Sequence, residues 1–543
     1  MVRGSVGVIF GETGTLDFKM LISDSTAVHR GDYVKAWHET DGWALAQLLS
    51  ITRSSDSYSF KEAKNGKRTD KSGDKIIADV TVIGTRDSAG LLRAPLTPFS
   101  PGDPIYKADG DLIRSVLGLS GKDMYLGLLD GTNITVQLSV NSLVQKHCSI
   151  LAKTGSGKSY TAGVLLEEML DRNIPLLIID PHSEYASLKK AASPDSGDFK
   201  KYCISPKGYS SQVTIYTPAN KVINPVADEV FRLNGTNLTV RELTAIFPDN
   251  YTSTHMGILY EAVQKLKAEM ETYTLDDIIF EVGNDKSKAK WNVISLLEEI
   301  RETGILSTNP TSIEELVQKG RAAVIDFKGV SPDIQSMIVA RLCTNLFEAR
   351  KVNRVPPGML VIEEAHNFAP ERGFSKTASS EVLRTIASEG RKFGLGLMVI
   401  SQRPARIDKN VLSQCGTQII MKVTNPNDLK SISKGLEGVN SYVEEELKRL
   451  PPGIAMLVSN DIERPVLIDI RVRKAKHGGE SVNVLKSARS ASISPPMPKS
   501  TTPRPRPKAQ SEPAATSPPP KRNPSRSEES GNGGLFKKIF GAK

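Results

Sequence analysis

The chain has 543 residues, enough for two or three domains with their own cores, and a formal net charge of +10. Its four cysteines, Cys148, Cys203, Cys343 and Cys415, lie far apart with no paired spacing, which excludes a disulfide framework or a cysteine zinc site and points to free thiols in a reducing compartment. The opening apolar run Val6–Phe10 is too short for a signal peptide and no later stretch is long enough to span a bilayer, so a cytoplasmic protein that makes no membrane contact is expected.

The charge is unevenly placed. From Lys486 to the end there are 12 Lys/Arg against 3 Asp/Glu, a net of +9 that leaves about +1 for the rest. Any nucleic-acid contact by the body must therefore come from a local patch.

In chain order, residues 1–95 alternate short β-rich runs with turns, at Val6–Phe10, Asp17–Ile22, Asp32–Trp37, Trp43–Thr52 and Ile76–Gly84, which predicts a small β-barrel. Without an aromatic-basic stripe in the sequence, the barrel reads as a docking or oligomer-orienting module. A Pro-rich joint, Pro95 to Pro104, opens a connector over 96–144. From 145 to 480 apolar runs alternate with helical patterns. Strands are expected at Pro175–Asp180, Val213–Tyr216, Ala322–Phe327, Met359–Glu363, Leu395–Ser401, Gln418–Val423, Ile454–Val458 and Val466–Ile470. Continuous apolar runs imply strands covered on both faces, hence an α/β domain with a mostly parallel sheet. Between about 224 and 320 the period turns helical, predicting an inserted helical cap. From 481 to 543 the chain is basic and Pro/Ser-rich, with 11 prolines between Pro495 and Pro524, and is expected to be disordered. Its last stretch, Gly534–Phe540, regains an amphipathic pattern.

The chemistry gathers around Ala152-Lys153-Thr154-Gly155-Ser156-Gly157-Lys158-Ser159, a phosphate-binding loop set between the apolar run Cys148–Leu151 and an amphipathic helix. Successive N–H groups, with Gly155 and Gly157 free to take positive φ, form an anion cradle at the helix's positive end, extending to Tyr160. Lys158 would reach the β- and γ-phosphates of ATP, and the Ser159 hydroxyl would hold Mg²⁺. Met359-Leu-Val-Ile362 then delivers Glu363 and Glu364 to a strand's C-terminal end, where α/β sheets bind ligands. Adjacent strand residues point to opposite faces, so Glu363 is assigned to the metal side and Glu364 to the water-activating base. Gln402 closes another strand as a γ-phosphate sensor, and Glu184, after Asp180-Pro-His-Ser, either faces the nucleotide or caps a helix. Arg391 is the candidate cation for transition-state charge, supplied to a neighbouring subunit's pocket. Arg372 and Lys376, in the loop after the carboxylates, are candidate DNA contacts.

The runs ILAKTGSGKS, LLIIDPHSEY, VIEEAHNF and EGRKFGLGLMVISQRP, with the terminal Arg473-Lys-Ala-Lys-His-Gly-Gly479, resemble the HerA family of archaeal DNA-translocating ATPases within the FtsK–HerA group. The resemblance covers roughly residues 1–480. It implies a HAS-type barrel, a RecA-like P-loop motor with a helical insertion, and a homohexameric ring that threads double-stranded DNA and works with a NurA-type nuclease at double-strand breaks. Family roles fall on Lys158 and Ser159 (phosphate and Mg²⁺), Glu364 (catalysis), Gln402 (sensor) and Arg391 (finger). The family more often has Asp where this chain has Glu363. Two other readings remain: a conjugation-type DNA pump, which the lack of membrane segments disfavours, and an ATP-switched DNA-end scaffold that is not a motor.

Overall fold

The computed structural model describes residues 3–478, apart from 25, 56–59, 67–73, 120–122, 245–250, 375–376 and 436–440. The expectations for the tail from 481 and for Lys376 fall outside the described residues.

The N-terminal runs form β1 (Gly7–Thr13), β2 (Asp17–Ile22), β3 (Tyr33–His38), β4 (Gly42–Ser55) and β5 (Asp74–Arg86), joined by β6 (Pro104–Lys107). Their order is β2-β1-β6-β3-β4-β5, and β2 also pairs with β5, so the six strands close into a barrel. Alternation supplies its core: Phe18 and Met20 of β2, Val34 and Ala36 of β3, and Ala78, Val80 and Val82 of β5 all point inward. The outward face holds a cross-strand aromatic group that the sequence does not announce. Trp37 sits opposite Trp43 at 5.4 Å, Trp43 meets the Tyr106 ring at 5.7 Å, and the Lys35 ammonium lies 4.8 Å from the Trp43 ring.

The second domain is built on one twelve-stranded sheet. Its strands are β7 (Met124–Leu129), β8 (Thr135–Leu138), β9 (Cys148–Leu151), β10 (Leu176–Asp180), β11 (Val213–Thr217), β12 (Ala322–Asp326), β13 (Gly358–Ile362), β14 (Leu395–Ser401), β15 (Thr417–Ile420), β16 (Ile454–Ser459) and β17 (Val466–Ile470). After a two-residue edge strand, Glu229–Val230, the order is β11-β12-β10-β13-β14-β9-β15-β16-β17-β7-β8. The strands from β11 to β15 are parallel, and those from β16 onward pair antiparallel. The sheet is mostly parallel, as the apolar runs imply, with an antiparallel end from β16 to β8. One expectation is corrected: the stretch 96–144 is no connector, since β6 belongs to the barrel while β7 and β8 extend the motor sheet from β17.

Both faces of the parallel part are covered, which explains its unbroken apolar runs. In β10, Leu177 and Ile179 face one core and Leu176 and Ile178 the other. The second core includes α1 (Lys158–Asp171), the helix that follows the phosphate loop. The first takes the helical insertion, whose longer members are α2 (Ser253–Glu269), α3 (Leu275–Gly283) and α4 (Lys290–Glu302), together with α5 (Pro332–Lys351) and α6 (Ser380–Glu389). Ile258, Ile278 and Val293 carry the apolar face of the three insertion helices into it. No described helix is long and apolar enough to cross a membrane.

Candidate nucleotide site

Strand order brings the predicted pieces together. β9 lies between β14 and β15, so the phosphate loop leaving Leu151 emerges beside the end of the sensor strand, with Leu151 opposite Ser401. The Ala152 N–H donates to the Ser401 carbonyl (3.2 Å) and the Lys153 N–H to the Lys422 carbonyl (2.8 Å), pinning the loop's first arm to both neighbours. Ala152 is fully buried there. Gly155 and Gly157 take φ of 79° and 100°, a left-handed path that a side chain would strain, and Gly157 caps α1 at Lys158. Lys153, Thr154 and Gly155 stay exposed. An open turn of N–H groups at the start of a 14-residue helix fits a polyphosphate.

The Lys158 ammonium is bound by both carboxylates: Glu363 Oε1, and Glu364 Oε1 at 2.8 Å. The expectation that the two carboxylates diverge does not hold. β13 ends at Ile362, and Glu364 takes a left-handed conformation (φ 49°, ψ 47°), so the turn swings its carboxylate back to the same lysine. A non-glycine residue there costs of order 1–3 kcal/mol, a strain typical of functional turns.

The pair then differs by surroundings. Glu363 is fully buried and its second oxygen accepts the Tyr185 hydroxyl at 2.6 Å; burial raises its carboxyl above the usual range against the pull of Lys158 and Tyr185. Burial pushes the Glu364 carboxyl up too, but His366, whose Nδ1 lies 3.3 Å from Oε2, and Lys158 outweigh it and hold the group down at about 2. Glu364 is thus an anion at neutral pH. Lys158 is raised overall: burial disfavours its charge, and the two carboxylates more than restore it. Asp180, at the end of β10 and in register with Asp326 of β12, is pushed up to about 7 by burial, with Asp326 and Glu363 adding to the rise and the Tyr185 N–H opposing it.

Gln402 lies against the phosphate loop: its Oε1 accepts the Thr154 hydroxyl, a bond that does not use the Nε2 donors. Tyr160 turns away from the loop: its hydroxyl accepts the Arg473 N–H (2.8 Å) and its ring meets His477 at 5.4 Å. One oxygen of Glu184 is buried without a hydrogen-bond partner. Among the described residues no group of three or more His, Cys, Asp or Glu is arranged to hold a metal ion. Ser159, at the second position of α1, is the side chain placed to hold Mg²⁺ together with phosphate oxygens; both Glu363 oxygens are engaged by Lys158 and Tyr185.

Arg391 is not brought to this pocket. It is exposed on the turn Gly390–Phe393 before β14, beside a cleft of about 620 Å³ lined by Lys146, His147 and Gln414, at the opposite edge of the sheet. A seven-residue strand separates the two edges, about 20 Å.

Three features were not foreseen from sequence: Tyr185 on Glu363, His366 on Glu364, and the chain after β17. There Arg471 is fully buried and bonds Glu167 (3.0 Å) and Glu168 (2.8 Å) of α1, while Lys474 reaches Glu168 (2.9 Å) and Asp171 (2.8 Å). Tyr185 and His366 had a signal as polar residues of DPHSEY and EEAH, and Lys474 as part of the run Arg473–Gly479, whereas nothing in the sequence marks Arg471.

Residues 124–346 match the family model described as the central domain of the helicase HerA. A probable helicase of Methanocaldococcus jannaschii is 29% identical over 517 residues, covering 88% of this chain and 93% of its own. A DNA double-strand break repair helicase HerA of Sulfurisphaera tokodaii is 27% identical over 515 residues, covering 90% and 97%. The chain is similar to HerA helicases over most of its length. Among solved structures it is similar to VirB4 of Thermoanaerobacter pseudethanolicus, with a TM-score of 0.49 and 18% identity over 65% of this chain and 97% of that one. The HerA central-domain match ends before Glu363, so the carboxylates, Arg391 and Gln402 rest on the geometry described above.

Proposed function

We propose that this protein is an ATP-hydrolysing DNA translocase or helicase that acts on double-stranded DNA as a ring of six copies, in double-strand break processing alongside a NurA-type nuclease. The observation that carries the ATPase reading is the meeting of Lys158 with two carboxylates of opposed acidity at the C-terminal edge of the sheet, beside an open phosphate loop. With ATP in the loop, Lys158 would hold β- and γ-phosphate oxygens and Ser159 the metal side. Mg²⁺, when bound, supplies neutralisation of phosphate charge. Releasing the lysine leaves Glu364 anionic and backed by His366, ready to accept a proton from the attacking water, while Glu363 stays fixed by Tyr185 on the metal side. Gln402, anchored by Thr154, offers its amide N–H groups to the γ-phosphate.

DNA as substrate and the double-strand break role are supported by the HerA relatives, whose names describe DNA double-strand break repair helicases; the partner nuclease is part of the proposal and follows from the family resemblance alone. The ring is supported by Arg391: a finger on the far edge of the sheet can act only on a neighbour's pocket.

The test is ATP turnover with and without duplex DNA, in wild type and Glu364→Gln. DNA should stimulate turnover, and the variant should lose about 10²-fold or more while still binding nucleotide. Turnover indifferent to DNA would sink the motor reading in favour of an ATP-switched scaffold, and near-normal hydrolysis by the variant would move the base to Glu363.

A further inference from the structure

The loops that leave β13 and β14 are locked to each other. Pro370 and Ile407 form a β-bridge, the Glu371 N–H donates to the Arg406 carbonyl (2.8 Å), and the Asp408 N–H donates to the Ala369 carbonyl (2.8 Å). Side chains complete the lock: Lys409 Nζ bonds Glu371 (2.7 Å), and Arg384 Nε bonds the buried Asp408 (2.7 Å). These contacts consume Glu371, Lys409, Arg384 and Asp408. They leave a set of cations over. The side chains of Lys153, Arg372 and Arg403 have no hydrogen bond or ion pair among the described residues, and that of Arg406 has only the Phe374 ring, 5.5 Å away.

Lys153, Arg403, Arg406 and Phe374 line one cleft of about 680 Å³ together with Asn425, Asn427, Thr154 and Gln402. Asp428, the acid in the cleft, accepts the Ala405 N–H at 3.0 Å. A solvated arginine face normally carries acids among its bases; here three cations converge on a concave surface whose one carboxylate is already engaged.

We infer that this cleft binds the phosphodiester backbone of a DNA strand, with Arg403 and Arg406 as its anchors. Planar guanidinium groups match phosphate oxygens, the Asn side chains add donors, and Phe374 holds the Arg406 plane while offering a face to a sugar or base. The site rests on the DNA-motor reading and gives it a route: the strand held by Arg403 lies one residue from Gln402, whose amide is tied to the phosphate loop. The same oxyanion chemistry could come from nucleotide phosphates, so the test has two arms.

Binding of a short fluorescent DNA duplex is measured across a salt series for wild type, Arg403→Ala with Arg406→Ala, and Arg406→Lys. Binding of a fluorescent ATP analogue is measured in parallel. The double variant should lower the slope of log K against log salt by about 2, since each lost phosphate contact contributes about 0.9, and weaken binding about tenfold or more. Arg406→Lys should keep the slope. An unchanged slope in the double variant overturns the site, and an unchanged slope with lost analogue affinity reassigns the cleft to the nucleotide. A wild-type protein that binds no duplex removes the DNA-motor reading itself, which the variants alone cannot do.

Discussion

At the scale of single residues, the site turns on where side chains are held rather than on which are present. Thr154 is the clearest case: its hydroxyl holds the oxygen end of the Gln402 amide, so on the proposed sensor role Gln402 would present donors and not an acceptor to the phosphates. Thr154→Val should therefore lower kcat about tenfold with a smaller effect on KM, and Thr154→Ser should restore it. If serine rescues nothing, the methyl and not the hydroxyl matters. Asp180 gives a prediction in pH. Its carboxyl titrates near 4 in the unfolded chain and at about 7 when folded, so folding binds a proton and the penalty grows from pH 4 to pH 7, then stays level. Asp180→Asn should raise Tm by a few degrees at pH 8, and the gain should vanish toward pH 4. An offset that is the same at both pH values would mean that the effect is packing, not titration.

At the scale of elements, the segment after β17 is bound to α1 through buried charge. Arg471 is wholly enclosed and answers two glutamates at once, so removing it strands Glu167 and Glu168 without a bidentate partner. Arg471→Met should cost about 3–5 kcal/mol in denaturant unfolding, and Arg471→Lys should recover little, because an ammonium cannot bond both glutamates and also the Tyr125 and Val472 carbonyls that the guanidinium reaches. A loss under 1 kcal/mol would show that Lys474 and solvent suffice. This level also shows what the sequence makes legible. The phosphate loop, the apolar parallel strands and the β13 carboxylates were readable because loop spacing and buried runs are local signals. The fate of 96–144 was not: β7 and β8 find their partner in β17, and pairing across that distance leaves no mark in either stretch. The reversed turn at Glu364 and the Trp37–Trp43–Tyr106 group are hidden for the same reason, since each depends on a dihedral angle or a neighbouring strand.

At the scale of the whole molecule, the sheet puts its own phosphate loop on one edge and Arg391 on the other. In a ring, Arg391→Ala and Lys158→Ala subunits, each expected to lose about 10³-fold in turnover, should regain part of their ATPase when co-assembled, because some interfaces join an intact pocket to an intact finger. Mixed rings without recovery would end the trans assignment. The architecture also has a consequence in time. β7 and β8 are made early, but the strand that receives them, and the Arg471–Lys474 segment that braces the phosphate-loop helix, follow more than 300 residues later. Synthesis runs at about 5–20 residues per second, so an early hairpin waits tens of seconds with an open edge. The barrel can fold while the motor is still being translated, but the nucleotide site cannot be finished until β17 and the Arg471–Lys474 segment have emerged. A message cut short before the last strand thus yields a protein that neither closes its sheet nor burns ATP.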